Sequence, residues 1–208
     1  MKNSKLIQAA SEYGSPLYVY DANKIKYQYN RLVKSFKSVK NLQLNYAVKA
    51  LSNISILKYL IDLGSGIDAV SIQEVHLALK SGINPEKIIY TPNGVSMDEI
   101  KFASELGVKI NIDNLSVLED FGNSHPEIPI CIRINPHIMA GGNSNISVGH
   151  IDSKFGISIH QIPHLKRIVE NTKIRINGVH MHTGSDILDI DVSVSYTHLR
   201  AHETNFDL

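Results

Sequence analysis

Leu42-Gln43-Leu44-Asn45-Tyr46-Ala47-Val48-Lys49 is a largely apolar run that ends on a charge, and Ala50-Leu51-Ser52-Asn53 leads from it into helical spacing. A lysine closing a buried strand has two readings. It can snorkel out to water along its apolar stem, or it can be held desolvated. Desolvation disfavours the ammonium, so a lysine of the second kind titrates low and serves as a nucleophile able to form a Schiff base. The octapeptide alone leaves both readings open.

The pattern recurs along the chain. Short runs rich in β-branched and aromatic residues predict strands over Gln43–Lys49, Gly66–Ser71, Ile88–Asn93, Lys109–Asn114, Cys131–Pro136 and Asn177–Gly184. The first five centre near Tyr46, Asp68, Tyr90, Ile112 and Arg133, at intervals of 22, 22, 22 and 21 residues. Helical spacing between them predicts helices near Ile54–Leu63, Ile72–Ser81, Met97–Leu106, Val117–Gly122 and His160–Asn171. Gly64, Gly82 and Gly107 stand where a helix end needs a left-handed residue, and Ser96, Asn114 and Ser158 where one needs an N-cap.

Strict alternation of strand and helix implies a parallel sheet. The even repeat, and the lack of a Gly-x-Gly-x-x-Gly turn after the first strand, favour a (β/α)₈ barrel over an open doubly wound sheet. In a barrel the chemistry gathers at the carboxyl ends of the strands. Lys49, Asp68 with Ser71, Asn93, Asp113 with Asn114, Arg133 with Asn135, and His180 with His182 all fall there. Ser15–Asp21 reads as an extra strand, Leu17–Asp21 at its centre, ahead of a long amphipathic helix over Ala22–Phe36.

The 208 residues are 43% hydrophobic, enough for one domain with a sizeable core. A net charge of +1 with no basic stripe speaks against a nucleic-acid partner. The single cysteine, Cys131, lies in an apolar stretch and reads as core packing in a reducing compartment. No apolar run reaches the length of a signal peptide or a membrane span, so the expectation is a soluble, cytoplasmic protein.

A Schiff-base lysine needs a carbonyl partner. Pyridoxal phosphate would need a phosphate anchor, a group against its ring and a charge near its pyridine nitrogen. In Gly178-Val179-His180-Met181-His182-Thr183-Gly184-Ser185, strand periodicity turns His180 and His182 to one face. A flat neutral imidazole can stack on a ring, and Gly184 and Ser185 offer a backbone N–H and a hydroxyl to a phosphate. The same His-x-His could be two satisfied core histidines or a metal pair, but zinc wants more ligands than Asp186 and Asp189 nearby, and no metal is expected. Arg133, in an apolar strand, demands an acceptor, which a structural pairing with Asp68 or Glu74 would also satisfy.

Tyr46-Ala47-Val48-Lys49-Ala50, Gly66-Ile67-Asp68-Ala69-Val70-Ser71 with Glu74, Arg133-Ile134-Asn135-Pro136, Ser153-Lys154-Phe155-Gly156 and Gly178–Ser185 occur in this order. Together they resemble the fold type III pyridoxal-phosphate-dependent decarboxylases, the family of ornithine, arginine and diaminopimelate decarboxylases. The likeness covers about residues 10–192 and is greatest to the diaminopimelate branch. The resemblance implies that Lys49 holds the cofactor covalently, His182 stacks on its ring, and Ser185 reaches its phosphate. It implies Arg133 near the ring, with Asp68, Glu74, His180 and Gly184 in support. The implied reaction converts meso-2,6-diaminopimelate to L-lysine and carbon dioxide. A homodimer is implied for the whole protein, acting on a small amino-acid substrate. Alternatives are a carboxynorspermidine or arginine decarboxylase of the same fold, a non-catalytic pyridoxal-phosphate carrier, or a metal-dependent barrel hydrolase.

The chain departs from that family. About six strands are predicted where a barrel has eight. The later Glu-Pro-Gly-Arg segment, the later glycine-rich turn and the β-rich second domain are not found. The expected organisation is therefore an N-terminal segment over 1–21, a partial barrel over 22–192, and a non-native tail over 193–208. Val194-Ser195-Tyr196-Thr197-His198-Leu199 and the residues after it read as a translated transposon adapter. A fragment of this kind exposes two sheet edges and is expected to be inactive and to fold poorly by itself.

Overall fold

Every strand of the predicted repeat and each helix between them forms, and the boundaries follow single-residue chemistry. The computed structural model describes residues 2–138, 154–182, 184 and 191. Among the described residues, seven strands run β1 Asn45–Ala47, β2 Gly66–Ala69, β3 Ile88–Tyr90, β4 Lys109–Ile112, β5 Ile130–Asn135, β6 Ile157–Ser158 and β7 Ile176–His180. The helices are α1 Asn3–Tyr13, α2 Ala22–Ser35, α3 Ile54–Asp62, α4 Ile72–Lys80, α5 Met97–Glu105, α6 Leu115–Ser124 and α7 Ile162–Thr172. Asn53, Ser71, Ser96 and Asn114 each accept a backbone N–H from the first turn of α3, α4, α5 and α6. Gly64, Gly82 and Gly107 follow α3, α4 and α5 at φ of 102°, 91° and 77°, a region that costs a residue with a Cβ. Ser158 caps a 3-10 turn, Ile159–Gln161, that leads into α7.

All pairings are parallel. The strands run β1-β2-β3-β4-β5, with β7 on the first part of β5 and the two-residue β6 on its last two residues. The architecture is a partial (β/α)₈ barrel. Strand β6 was not predicted, because two residues carry no period.

Laterally paired residues share a face, and the two faces differ sharply. Ile67, Ala69, Ile88, Tyr90, Ile110, Ile112, Ile130, Ile132 and Ile134 are buried and form one core with Leu57 of α3, Val75 of α4, Ile100 of α5, Phe121 of α6 and Leu165 of α7. The alternate positions face inward, and most of them are polar: Asp68, Asn111, Arg133 and His180, continued past the strand ends by Thr91 and Asp113, with Ala47, Ile89 and Cys131 interspersed. The strands of an all-parallel sheet are ordinarily apolar on both faces. The inner wall here is therefore built for something other than packing.

One expectation needs correction at the amino end. Leu17–Asp21 forms no strand. Leu17, Tyr18, Val19 and Tyr20 are all exposed, because an extended run becomes a strand only beside a hydrogen-bonding neighbour, and no described strand flanks it. An unpredicted helix, α1, precedes it and buries no side chain. Helix α2 forms as expected, with Asp21 accepting from the N–H groups of Asn23 and Lys24. Residues 193–208 lie outside the described residues.

Gly66 opens β2 opposite Asn45. A Cβ there would overlap the Asn45 side-chain oxygen and sit 2.9 Å from the backbone carbonyl oxygen of Lys87. The carbonyl belongs to the turn entering β3 and cannot swing aside. Gly66→Ala is expected to cost about 1–3 kcal/mol in urea unfolding. Gly178→Ala, where the nearest atom is the Cys131 sulfur at 3.3 Å, is expected to cost less. Equal losses in the two variants would contradict the close β1–β2 contact.

Candidate active site

Strand alternation brings distant polar residues onto one wall. Thr91 extends β3 by donating its N–H to the Ala69 carbonyl, and its hydroxyl donates to Asp68 Oδ1 at 3.1 Å. Asn111, 1% exposed on β4, donates from Nδ2 to Thr91 Oγ1 at 3.3 Å. The same nitrogen lies 2.6 Å from His180 Nδ1 on β7. Asn93 Nδ2 donates to Asp113 Oδ2 at 2.7 Å beyond the ends of β3 and β4. The inner wall is thus one hydrogen-bonded sequence from β2 to β7, with Arg133 of β5 directly beside His180 in the register.

Charge and burial set the protonation states. Burial raises the Asp68 carboxyl above its ordinary range, while the Thr91 hydroxyl and the charges of Lys49 and Arg133 oppose the rise and Glu74 adds to it. Burial disfavours the Arg133 guanidinium, whereas Asp113 and Asp68 favour it. The Arg133 guanidinium carbon also lies 4.8 Å from the Phe155 ring centroid, a cation–π contact. His180 is pushed down to about 4 by burial first, then by Arg133 and His182. His182 is lowered by burial first, then by Arg133 and Lys49. Both imidazoles are neutral at neutral pH.

Lys49 lies in a 3-10 turn, Val48–Ala50, just past β1, and not within the strand. Its side chain is exposed, which favours the first of the two readings of the octapeptide, a lysine that reaches water. Burial depends on what covers a side chain, and among the described residues nothing lies over this strand end. The Lys49 charge nevertheless acts on both Asp68 and His182.

The other predicted residues divide. Glu74 Oε2 accepts from the Val70 N–H at 2.8 Å, and its own N–H donates to Ser71 Oγ, so it caps α4 and acts on Asp68 only through its charge. Gly184 is half-buried at φ 114°. Ser185, Asp186 and Asp189 lie outside the described residues. Cys131 sits half-buried on the inner wall, and burial raises its thiol to about 11, leaving it unreactive. Sequence reasoning missed Thr91 and Asn111. The signal was present in Lys109-Ile110-Asn111-Ile112-Asp113, where polar residues occupy every second position of a strand.

The family described as pyridoxal-dependent decarboxylase, pyridoxal binding domain, matches residues 22–207. Diaminopimelate decarboxylase of Methanothermobacter thermautotrophicus is 40% identical over 185 residues, covering 88% of this chain and 43% of that protein. The Helicobacter pylori diaminopimelate decarboxylase is 38% identical over 185 residues, covering 86% and 45%. The crystal structure of the H. pylori protein complexed with L-lysine superposes at a TM-score of 0.82 and 33% identity, over 98% of this chain and 53% of that one. The chain spans about half the length of the relatives it matches. An inward wall of carboxylate, guanidinium and neutral imidazoles on a partial barrel accords with these likenesses, and the chain belongs to the pyridoxal-dependent decarboxylase family through its pyridoxal-binding domain.

Proposed function

We propose that this chain is the cofactor-binding half of a diaminopimelate decarboxylase, which converts meso-2,6-diaminopimelate to L-lysine and carbon dioxide. What supports this reading is that the charges of Lys49 and Arg133 act on both Asp68 and His182, in a chain whose relatives are diaminopimelate decarboxylases.

The donor set fits pyridoxal phosphate. Lys49 offers a primary amine to an aldehyde, and its exposure leaves it accessible from the open side. His182 offers an uncharged flat ring, since its pKa is lowered. Arg133 supplies fixed positive charge on a wall otherwise carrying Asp68 and Asp113. Ser185 and Gly184 are assigned to the phosphate. When bound, the cofactor supplies an electron sink for the pair left behind as carbon dioxide departs. Asp68 balances the Lys49 and Arg133 charges, Glu74 accepts from the Val70 N–H just past β2, and His180 stands beside Arg133.

For the whole protein we assign a cytoplasmic homodimer that takes a small amino-acid substrate and has no nucleic-acid or membrane partner. Among the described residues, no helix is long and apolar enough to cross a membrane. The chain by itself is assigned no decarboxylase activity.

Borohydride reduction after incubation with pyridoxal phosphate tests the central role. The pyridoxyl label is expected on the peptide holding Lys49 and is expected to vanish in Lys49→Ala. A label spread evenly over surface lysines, and unchanged by Lys49→Ala, would overturn the assignment.

A further inference from the structure

We propose that Asp68, Thr91 and Asn111 form a positioning relay that fixes His180 as the tautomer protonated on Nε2, making it a hydrogen-bond donor and not a base. Counting hydrogens along the wall leads to this tautomer. Thr91 has one hydroxyl hydrogen, and it goes to Asp68 Oδ1 at 3.1 Å. Thr91 Oγ1 can then only accept, so the Asn111 atom 3.3 Å away must be the amide nitrogen. That nitrogen's second hydrogen points along the 2.6 Å contact to His180 Nδ1, which must present a lone pair. The ring proton is left on Nε2.

Turning the Asn111 amide over would set its oxygen against a Thr91 oxygen whose hydrogen is already committed. The orientation is held even though Asn111 Oδ1 is buried without a partner among the described residues, a cost that folded proteins rarely accept. The groups facing His180 reinforce it. Arg133 on β5 and His182 on its own segment disfavour an imidazolium. Asp68 on β2 is connected to the ring through Thr91 and Asn111, while Lys49 acts on Asp68 and His182. The consequence is chemical: Nε2–H can serve an acceptor such as a carboxylate, phosphate or carbonyl oxygen, and it cannot remove a proton. The position of this ring proton is set by the protein alone and holds whether or not the cofactor assignment does.

Long-range proton–nitrogen spectra of the full chain labelled with ¹⁵N-histidine read the tautomer directly. The His180 signal is identified by its loss in His180→Gln. It is expected to show Nε2 protonated and Nδ1 bare. Thr91→Val removes the hydroxyl that orients the amide and is expected to shift His180 toward the Nδ1–H form. Thr91→Ser is expected to keep the original pattern. Asn111→Asp, which places an acceptor against Nδ1, is expected to impose Nδ1–H. A wild-type ring protonated on Nδ1 would overturn the relay, as would a Thr91→Val spectrum that matches wild type or a Thr91→Ser spectrum that matches Thr91→Val. Should Thr91→Val not fold, an Asn111→Asp ring still protonated on Nε2 would overturn it equally.

Discussion

Phe121→Ala is expected to remove about 3–5 kcal/mol from the unfolding free energy. Phe121 is fully buried on α6. Its ring stacks on His125, with centroids 5.2 Å apart and planes 22° from parallel. Truncation would leave a cavity that its surroundings cannot close. The next residue, Gly122, already approaches Thr172 of α7 so closely that a Cβ there would lie 2.7 Å from Thr172 Oγ1. Thr172 in turn is held by donating to the Ile168 carbonyl at 2.8 Å. Helices α6 and α7 therefore cannot slide together to fill the space, and the cost should approach the top of the range. Domains of this kind are stable by only about 5–15 kcal/mol, so the loss is a large share of the margin. Val179→Ala, at a side chain 49% exposed, is expected to stay within about 0.5 kcal/mol of wild type. Urea denaturation followed by circular dichroism compares the two. Similar midpoints for both variants would mean that α6 is not docked on the sheet as described.

The repeat was legible because each βα unit must spend a fixed length of chain to return to the sheet. A strand near every twenty-second residue leaves few architectures. Helix ends were legible because capping is settled by one side chain within the first turn, as at Ser96 and Asn114. What failed or stayed open depended on neighbours. Leu17–Asp21 has strand composition but no partner strand, and Lys49 closes an apolar run but has no cover among the described residues. The polar relay was illegible for another reason. Its partners are separated by 23, 20 and 69 positions, so only the assembled wall shows that Thr91, Asn111 and His180 belong together. The motif residues Asp68, Arg133 and His180 were found in sequence as strand ends. Their hydrogen-bonded connection, which decides what His180 can do, was not.

Acid is expected to destabilise the fold through His180 by roughly 3 kcal/mol between neutral pH and about pH 4. The ring's ordinary value is 6.5, and burial together with the Arg133 and His182 charges brings it to about 4. An Nδ1 already receiving the Asn111 amide proton opposes ring protonation in the same direction. Below 6.5 the unfolded chain takes up a proton that the native chain refuses until about 4. The stabilisation is therefore complete above the ordinary value and drains away as pH falls through that interval. His182, lowered as well, adds to the loss. Asp68 works the other way. Its folded pKa is raised, so its contribution is present below the ordinary carboxylate value of 3.8 and is lost as pH rises through the folded value. Acidification restores that part and offsets some of the histidine loss. Comparing variants separates the opposing effects. Urea midpoints measured from neutral pH to about pH 4 should fall steeply in wild type and less steeply in His180→Gln. In Asp68→Asn the fall should steepen, because the offset is gone. Parallel curves for wild type and His180→Gln would show that the ring is not buried beside Arg133, and the polar wall would lose the contact that closes it from β2 to β7.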